Sequence, residues 1–144
     1  MTLSAPAPQA RSRALLAPAL VAQFMRFGVV GGIGFVLDTA TVYALRARFG
    51  LYDAGMVAYL VAASSNWVLN RAWTFRGLGS GPAHRQWARF LGANLVGFML
   101  NRGAYSAMVA FVPLAARQPV FAVAVGAVAG MFVNFALSRR LVFI

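Results

Sequence analysis

Four apolar runs, about Phe24–Leu45, Ala54–Leu69, Phe90–Phe111 and Val120–Leu137, leave this chain little to be except a set of membrane helices. A transmembrane helix needs about 20 mainly apolar residues to cross roughly 30 Å of hydrocarbon. With 61% hydrophobic and 10% charged residues in a chain of 144, no domain-sized segment remains outside the runs. The composition is too apolar for an ordinary soluble domain. The expected fold is therefore all-α and integral to the membrane, with four transmembrane helices. Residues 23–144 form one membrane domain. Residues 1–22 form a cytoplasmic leader, disordered or interfacial, because the apolar segment Ala14–Ala22 is short and leads straight into the first span.

Arginine sets the orientation. All thirteen basic residues are Arg. With the N-terminus inside, four spans place nine of them on the cytoplasmic side: Arg11, Arg13, Arg26, Arg71, Arg76, Arg85, Arg89, Arg139 and Arg140. Only Arg46, Arg48 and Arg117 fall outside, and Arg102 stays in the membrane. That bias predicts N-in/C-in topology. The formal charge of +11 flanks hydrophobic spans instead of forming a surface of its own, which argues against a nucleic-acid partner. Outer loops are expected near Arg46–Asp53 and Val112–Pro119, and a flexible, glycine-containing linker over Arg71–Arg89.

The spans repeat. At an offset of 63, six of the sixteen positions from Gln23 to Asp38 recur between Gln86 and Asn101, including Arg26-Phe27 as Arg89-Phe90. At an offset of 68, Asn66, Asn70, Arg71 and Phe75 match Asn134, Ser138, Arg139 and Phe143. The chain thus reads as two tandem helical hairpins, 23–76 and 86–144, in one orientation and related by an axis along the membrane normal. Ala54, Ala58, Ala62, Asn66 and Asn70 fall four apart, as do Ala122, Gly126, Gly130, Asn134 and Ser138. Small residues at that spacing form a groove into which a second helix packs closely.

Polar residues inside the spans mark the candidate site. Gly31, Gly34 and Asp38 share a helix face, and Asn94, Gly97 and Asn101 repeat it. Asp38 lies twelve residues beyond Arg26, about 18 Å along the helix, and Arg102 lies at similar depth beyond Arg89. A charge at the centre of a membrane helix costs roughly 2.5–3.5 kcal/mol, so each needs a partner or a watered cavity. Two readings stay open: an Asp38–Arg102 ion pair between the repeats, or a polar cavity for a hydrophilic substrate. Arg26, Arg71, Arg89 and Arg139, with Arg140, line the cytoplasmic edge. There they serve as snorkelling anchors or as phosphate ligands, to which guanidinium donates paired hydrogen bonds. Trp67, Trp73 and Phe75 beside them suit an aromatic belt or a sugar-stacking surface. Cysteine is absent and His84 is the sole histidine, so Cys-ligated and His-rich metal sites are excluded. No glycine loop followed by Lys, no Ser–His–Asp set and no pair of membrane carboxylates is present. The chain is not expected to be an enzyme or to hold a cofactor.

The segment Phe24-Met25-Arg26-Phe27-Gly28-Val29-Val30-Gly31-Gly32 followed by Asp38 resembles the opening of the GtrA-like family of small four-helix membrane proteins. So do the exit Asn66-Trp67-Val68-Leu69-Asn70-Arg71-Ala72-Trp73-Thr74-Phe75, the following Arg89-Phe90, and the ending from Asn134 to Phe143. The resemblance covers nearly everything from Phe24 onward. It implies a role in cell-surface polysaccharide synthesis at the bacterial cytoplasmic membrane, in which a polyprenyl-phosphate-linked sugar is moved to the outer leaflet. Under that reading the sugar passes Asp38, Asn94, Asn101 and Arg102, with Asn66, Asn70, Trp73 and Asn134 in support. The phosphate meets Arg26, Arg71, Arg89 or Arg139. Four thin helices enclose little volume, so a homo-oligomer within the membrane lipid is expected. The alternatives are an anchor that recruits a glycosyltransferase, and a proton-coupled exporter like the small multidrug-resistance transporters, for which Asp38 is the one candidate carboxylate.

Overall fold

The computed structural model describes residues 8–79 and 81–144, and every regular element among them is helical. The first, α1, runs from Pro8 to Leu69 and leaves helical conformation only at Gly50, where φ is 77° and ψ 170°. That backbone state is open to glycine and strained for other residues. Sixty-two residues in a straight line would span about 93 Å, three bilayer cores. Gly50 instead divides α1 into a first arm, 8–49, and a second arm, 51–69, that fold back on each other. A Cβ at Gly34 would collide with the side chain of Asn66, and these two positions are equally distant from Gly50. The loop expected near Arg46–Asp53 is thus a break at a single residue. Ala44, Leu45, Ala47 and Arg48 are good helix formers and carry the first arm to its end.

Residues 1–7 of the expected leader lie outside the described residues; helix begins at Pro8 and continues through Pro18 into the span. Pro8 stands at the helix start, where its missing N–H has no partner to lose.

The second half consists of α2 (Ala83–Phe111), a five-residue α3 (Pro113–Arg117) and α4 (Pro119–Leu137). Pro113 and Pro119 each open a helix, so the expected outer loop over Val112–Pro119 holds a helical turn between two corners. The linker expected over Arg71–Arg89 shrinks to residues 75–82. It is shortened from one side by a π-helical turn, Asn70–Thr74, and from the other by the early start of α2. A second π-helical turn, Ser138–Val142, ends α4. The amide of Phe75 donates to the Asn70 carbonyl at 2.8 Å, and that of Phe143 to the Ser138 carbonyl at 2.9 Å. The two turns occupy corresponding places in the sequence blocks 68 residues apart.

The small-residue ridges are buried. Ala54, Ala58 and Ala62 on the second arm face inward, and so do Ala122, Gly126 and Gly130 on α4. α2 and α4 run antiparallel in close contact. A Cβ at Gly126 would lie 2.7 Å from the Asn101 carbonyl, one at Gly130 3.1 Å from the Gly97 carbonyl, and one at Gly97 would strike the Asn134 amide. The core lies at the end carrying both π-turns and is built from Phe27, Phe75, Phe90, Phe135 and Phe143. Phe75 and Phe143 stack at 4.5 Å and 14°. Each then meets an edge partner in its own half: Phe27–Phe75 at 6.2 Å and 66°, Phe90–Phe143 at 6.2 Å and 68°. Lipid is as apolar as these rings, so helices in a membrane are held by packing more than by release of water. Interlocked rings joining the halves supply that packing.

Outside the core the surface is apolar, with Phe35, Val36, Met99, Phe111, Val123 and Phe132 all exposed. Two stretches, Pro18–Thr74 and Phe121–Val142, are long and apolar enough to cross a membrane. α2 has the length, about 43 Å for 29 residues, but carries Asn94, Asn101 and Arg102.

Candidate functional site

A cavity of about 470 Å³ lies between the two halves, and all four long helical segments contribute to its wall. Gly28, Gly31 and Gly32 of the first arm form one side. A Cβ added at Gly31 or Gly32 would meet nothing within 4 Å, so this side has room. Asn94, Gly97, Phe98 and Asn101 of α2 stand across from them, with Tyr59 and Asn66 from the second arm, Asn70 at the start of its π-turn, and Gly130, Met131 and Asn134 from α4. Phe27 and Phe90, members of the aromatic core, close the end nearest the π-turns.

The polar chemistry of this wall is carboxamide. Asn94 donates through Nδ2 to the Phe90 carbonyl at 2.8 Å, a bond that fixes its side chain against its own helix. The Oδ1 atoms of Asn66, Asn70 and Asn134 are buried and accept no hydrogen bond, and Asn70 is only 2% exposed. Beyond the wall, Thr74 Oγ1 and Ser138 Oγ are in the same state. Leaving one such acceptor without a donor costs about 1–3 kcal/mol. Asn66 and Asn134 recover part of this by lying against the glycine Cα hydrogens of Gly34 and Gly97, since Cα–H groups donate weakly at helix contacts. The side-chain amides of Asn66, Asn70 and Asn134 thus have no hydrogen-bond partner among the described residues.

Of the four midplane residues singled out in the sequence, Asn94 and Asn101 lie on this wall. Asp38 and Arg102 do not. Asp38 is half-buried and forms neither a hydrogen bond nor an ion pair among the described residues; Arg102 is exposed, its guanidinium 5.5 Å from the Phe98 ring centroid. The ion pair between them is not formed. Asn101 lies against Gly126 and Gly130, and the positions that match these on the second arm are the buried Ala58 and Ala62. Arg102 follows Asn101 by one residue, about 100° around the helix, and so points elsewhere.

The arginines expected at one membrane edge gather at the π-turn end. Arg26 lies 5.8 Å from the Trp73 ring. Arg71 donates to Gln86 Oε1 at 2.6 Å and lies 5.7 Å from Trp67. Arg89 is exposed. Arg139 and Arg140 border a second cavity of about 540 Å³ with Leu20 and Phe135. Of the supporting residues, Asn66, Asn70 and Asn134 reach the cavity between the halves, and Trp73 stays half outside with Arg26.

Sequence reasoning missed Gln86. It is 3% exposed, accepts from Trp67 Nε1 at 3.2 Å as well as from Arg71, and donates to the Val142 carbonyl at 3.3 Å. One side chain thereby ties the start of α2 to both π-turn ends. The available signal was its place as first residue of the repeated block, paired with Gln23. Tyr59, Phe27, Phe90 and Phe98 were also missed as wall residues, because an aromatic in an apolar span gives no sign of facing a cavity.

No relative was found among curated proteins. The model of one family, described as GtrA/DPMS, transmembrane domain, matches residues 26–143 and so takes in the whole cavity wall and both π-turns. With its apolar helices, that match makes the chain a membrane protein and a member of the GtrA/DPMS transmembrane-domain family.

Proposed function

We propose that this protein carries a polyprenyl-phosphate-linked sugar across the bacterial cytoplasmic membrane, the sugar passing through the amide-lined cavity while the prenyl chain stays in lipid. The observation that carries this reading is the cavity wall. It holds five Asn side chains, three with unpartnered buried oxygens, beside the rings of Phe27, Phe90 and Phe98. Amides match the alternating donors and acceptors of sugar hydroxyls, and ring faces match sugar C–H surfaces. Membership of the GtrA/DPMS family suggests involvement in lipid-linked sugar processes at membranes.

The topology belongs to the same reading. Four spans run as two tandem hairpins with both termini cytoplasmic, which places the π-turn end and its arginines at the inner leaflet. The near-identical geometry of Phe27–Phe75 and Phe90–Phe143 supports a repeat about an axis along the membrane normal. Arg26, Arg71, Arg89 and Arg139 are then placed to receive the phosphate. The side carrying Gly31 and Gly32 is exposed, and a second copy of the chain would close it. The protein acts as a carrier and not as an enzyme, and no cofactor is needed for downhill movement.

Proteoliposomes loaded with a fluorescent polyprenyl-phosphate hexose test the proposal, with dithionite quenching reporting the leaflet. The protein should accelerate exchange over empty vesicles, and Asn70→Val and Asn94→Leu should each slow it about tenfold, the loss of one to two hydrogen bonds. Unchanged rates in both variants would remove the cavity from the mechanism. No acceleration at all would favour the anchor for a glycosyltransferase instead.

A further inference from the structure

We infer that Arg71 is the receptor for the lipid phosphate and that Gln86 is its positioning residue, an inference that rests on the transport reading above. Arg71 is the second residue of the π-turn Asn70–Thr74 and is exposed. Its Nη1 donates to Gln86 Oε1 at 2.6 Å, and its guanidinium lies 5.7 Å from the Trp67 ring. Trp67 Nε1 donates to the same oxygen at 3.2 Å, so ring and cation are fixed against one acceptor. That acceptor is itself anchored. Gln86 is 3% exposed, and its Nε2 donates to the Val142 carbonyl at 3.3 Å. An arginine held in this way has lost much of its rotamer freedom before any guest arrives. Guanidinium carries five N–H donors, and those not given to Gln86 can meet two phosphate oxygens as a pair.

The holder is also neutral. A carboxylate in its place would cancel the guanidinium charge, whereas an amide leaves it intact. The chain's only acids are Asp38 and Asp53. Asp38 lies about 18 Å along the helix from Arg26, and Asp53 lies just past the bend at Gly50, so neither stands at the π-turn end.

The repeat supplies an internal comparison. Of Arg26, Arg71, Arg89 and Arg139, only Arg71 donates a hydrogen bond to a described residue. At the offsets of the two repeated blocks, Arg71, Trp67 and Gln86 correspond to Arg139, Phe135 and Gln23. Phe135 has no N–H on its ring, and the half-buried Gln23 forms no hydrogen bond to a described residue. The second half keeps the arginine without the holder. The ligand class is a singly charged phosphodiester, which either the carried lipid or a membrane phospholipid could bring.

Calorimetric titration in uncharged micelles separates these sources with two probes, a short polyprenyl-phosphate hexose and phosphatidylglycerol. The hexose probe should bind at least about tenfold tighter, since its sugar adds contacts in the cavity. Arg71→Gln and Gln86→Glu should each weaken its binding at least about tenfold, as loss of a charge-assisted contact does. Gln23→Glu puts the same charge at the matching place of the other half and should cost no more than about threefold, as a screened charge does. With Arg71→Gln already present, Gln86→Glu should add less than about threefold, because it acts through Arg71. In the vesicle assay Gln86→Glu should raise the half-saturating lipid concentration about tenfold and leave the limiting rate within about twofold. Folding is checked by circular dichroism and size-exclusion elution, and Arg71→Gln, an exposed change, decides the phosphate contact even where Gln86→Glu misfolds. Unchanged affinity in Arg71→Gln would overturn the site, and equal losses in Gln86→Glu and Gln23→Glu would overturn the positioning role. Equal affinity for phosphatidylglycerol would give the site to bulk phospholipid and remove it from transport. The expected losses of binding without any translocation would take away the transport reading and leave the phosphate site standing.

Discussion

Gly97→Ala is the sharpest test of how the second half is held together. Gly97 is buried where α2 meets α4, and a methyl group there would occupy the space of the Asn134 amide. Overpacking of this kind costs about 1–3 kcal/mol. Alanine recovers about 1 kcal/mol of helix propensity that glycine forfeits, so the net loss should be about 0–2 kcal/mol. Gly31→Ala supplies the baseline, because its Cβ meets nothing and only the propensity gain remains, about 1 kcal/mol in favour of the folded state. The difference between the two variants, about 1–3 kcal/mol, is the clash alone. It is read by reversible unfolding in mixed micelles, with helix content followed by circular dichroism. Asn134→Ala combined with Gly97→Ala should recover most of the loss, because the methyl then enters vacated space, giving a coupling of at least about 0.5 kcal/mol. Equal stabilities for Gly97→Ala and Gly31→Ala would refute the close approach of α2 and α4 at this point.

Three further outcomes follow from the same contacts. Gln86→Ala removes the acceptor shared by Trp67 and Arg71 and the donor to the Val142 carbonyl; it should cost about 1–3 kcal/mol and shift Trp emission, whereas a neutral result would unseat Gln86 as the tie between the halves. Phe143→Ala empties one side of the 4.5 Å stack with Phe75 and should lower stability by about 3–5 kcal/mol in the same micelle assay. Asp38→Asn and Arg102→Gln should be additive within about 0.5 kcal/mol, since the two side chains form no pair; a larger coupling would restore the ion pair between them.

The helical nature of the chain, its apolar spans and the buried ridges at four-residue spacing were legible in the sequence, because each rests on a local period or on composition. Ala54, Ala58 and Ala62 could be assigned to a contact face from spacing alone. What the spacing could not give was the partner of each face. Asp38 and Asn101 occupy matching positions and look alike in sequence, yet Asn101 lies against two glycines of α4 and only Asn101 reaches the cavity. The breaks were also beyond local reading. Gly50 sits among residues with strong helix propensity, so the turn collapses to one residue, while the glycines at 77, 79 and 81 all take positive φ within a linker shorter than their number suggested. Gln86 escaped notice because a single amide among arginines carries no pattern; its meaning comes from three partners brought together by folding.

The two halves therefore differ where a binding site has most use for asymmetry. Matching residues build the closed end: Phe27 with Phe90, Phe75 with Phe143, and the two π-turns behind them. A π-turn shifts the last turn of its helix from i→i+4 to i→i+5 bonding, and such turns recur at functional sites. Here each one presents a buried, unpartnered oxygen at its first residue, Asn70 Oδ1 and Ser138 Oγ. Away from that end the correspondence lapses, with Gly31 opposite Asn94 and Ala62 in the place of Gly130. The first arm thus supplies room, and the amides come from the segments around it: Asn66 and Asn70, Asn94 and Asn101, and Asn134. A guest in the cavity would be held by these amides and admitted past the first arm. Gly31→Asn, which gives the first arm the residue found at the matching position of α2, should tighten hexose retention and slow its release in the proteoliposome assay; a faster passage would show that room on the first arm was never limiting.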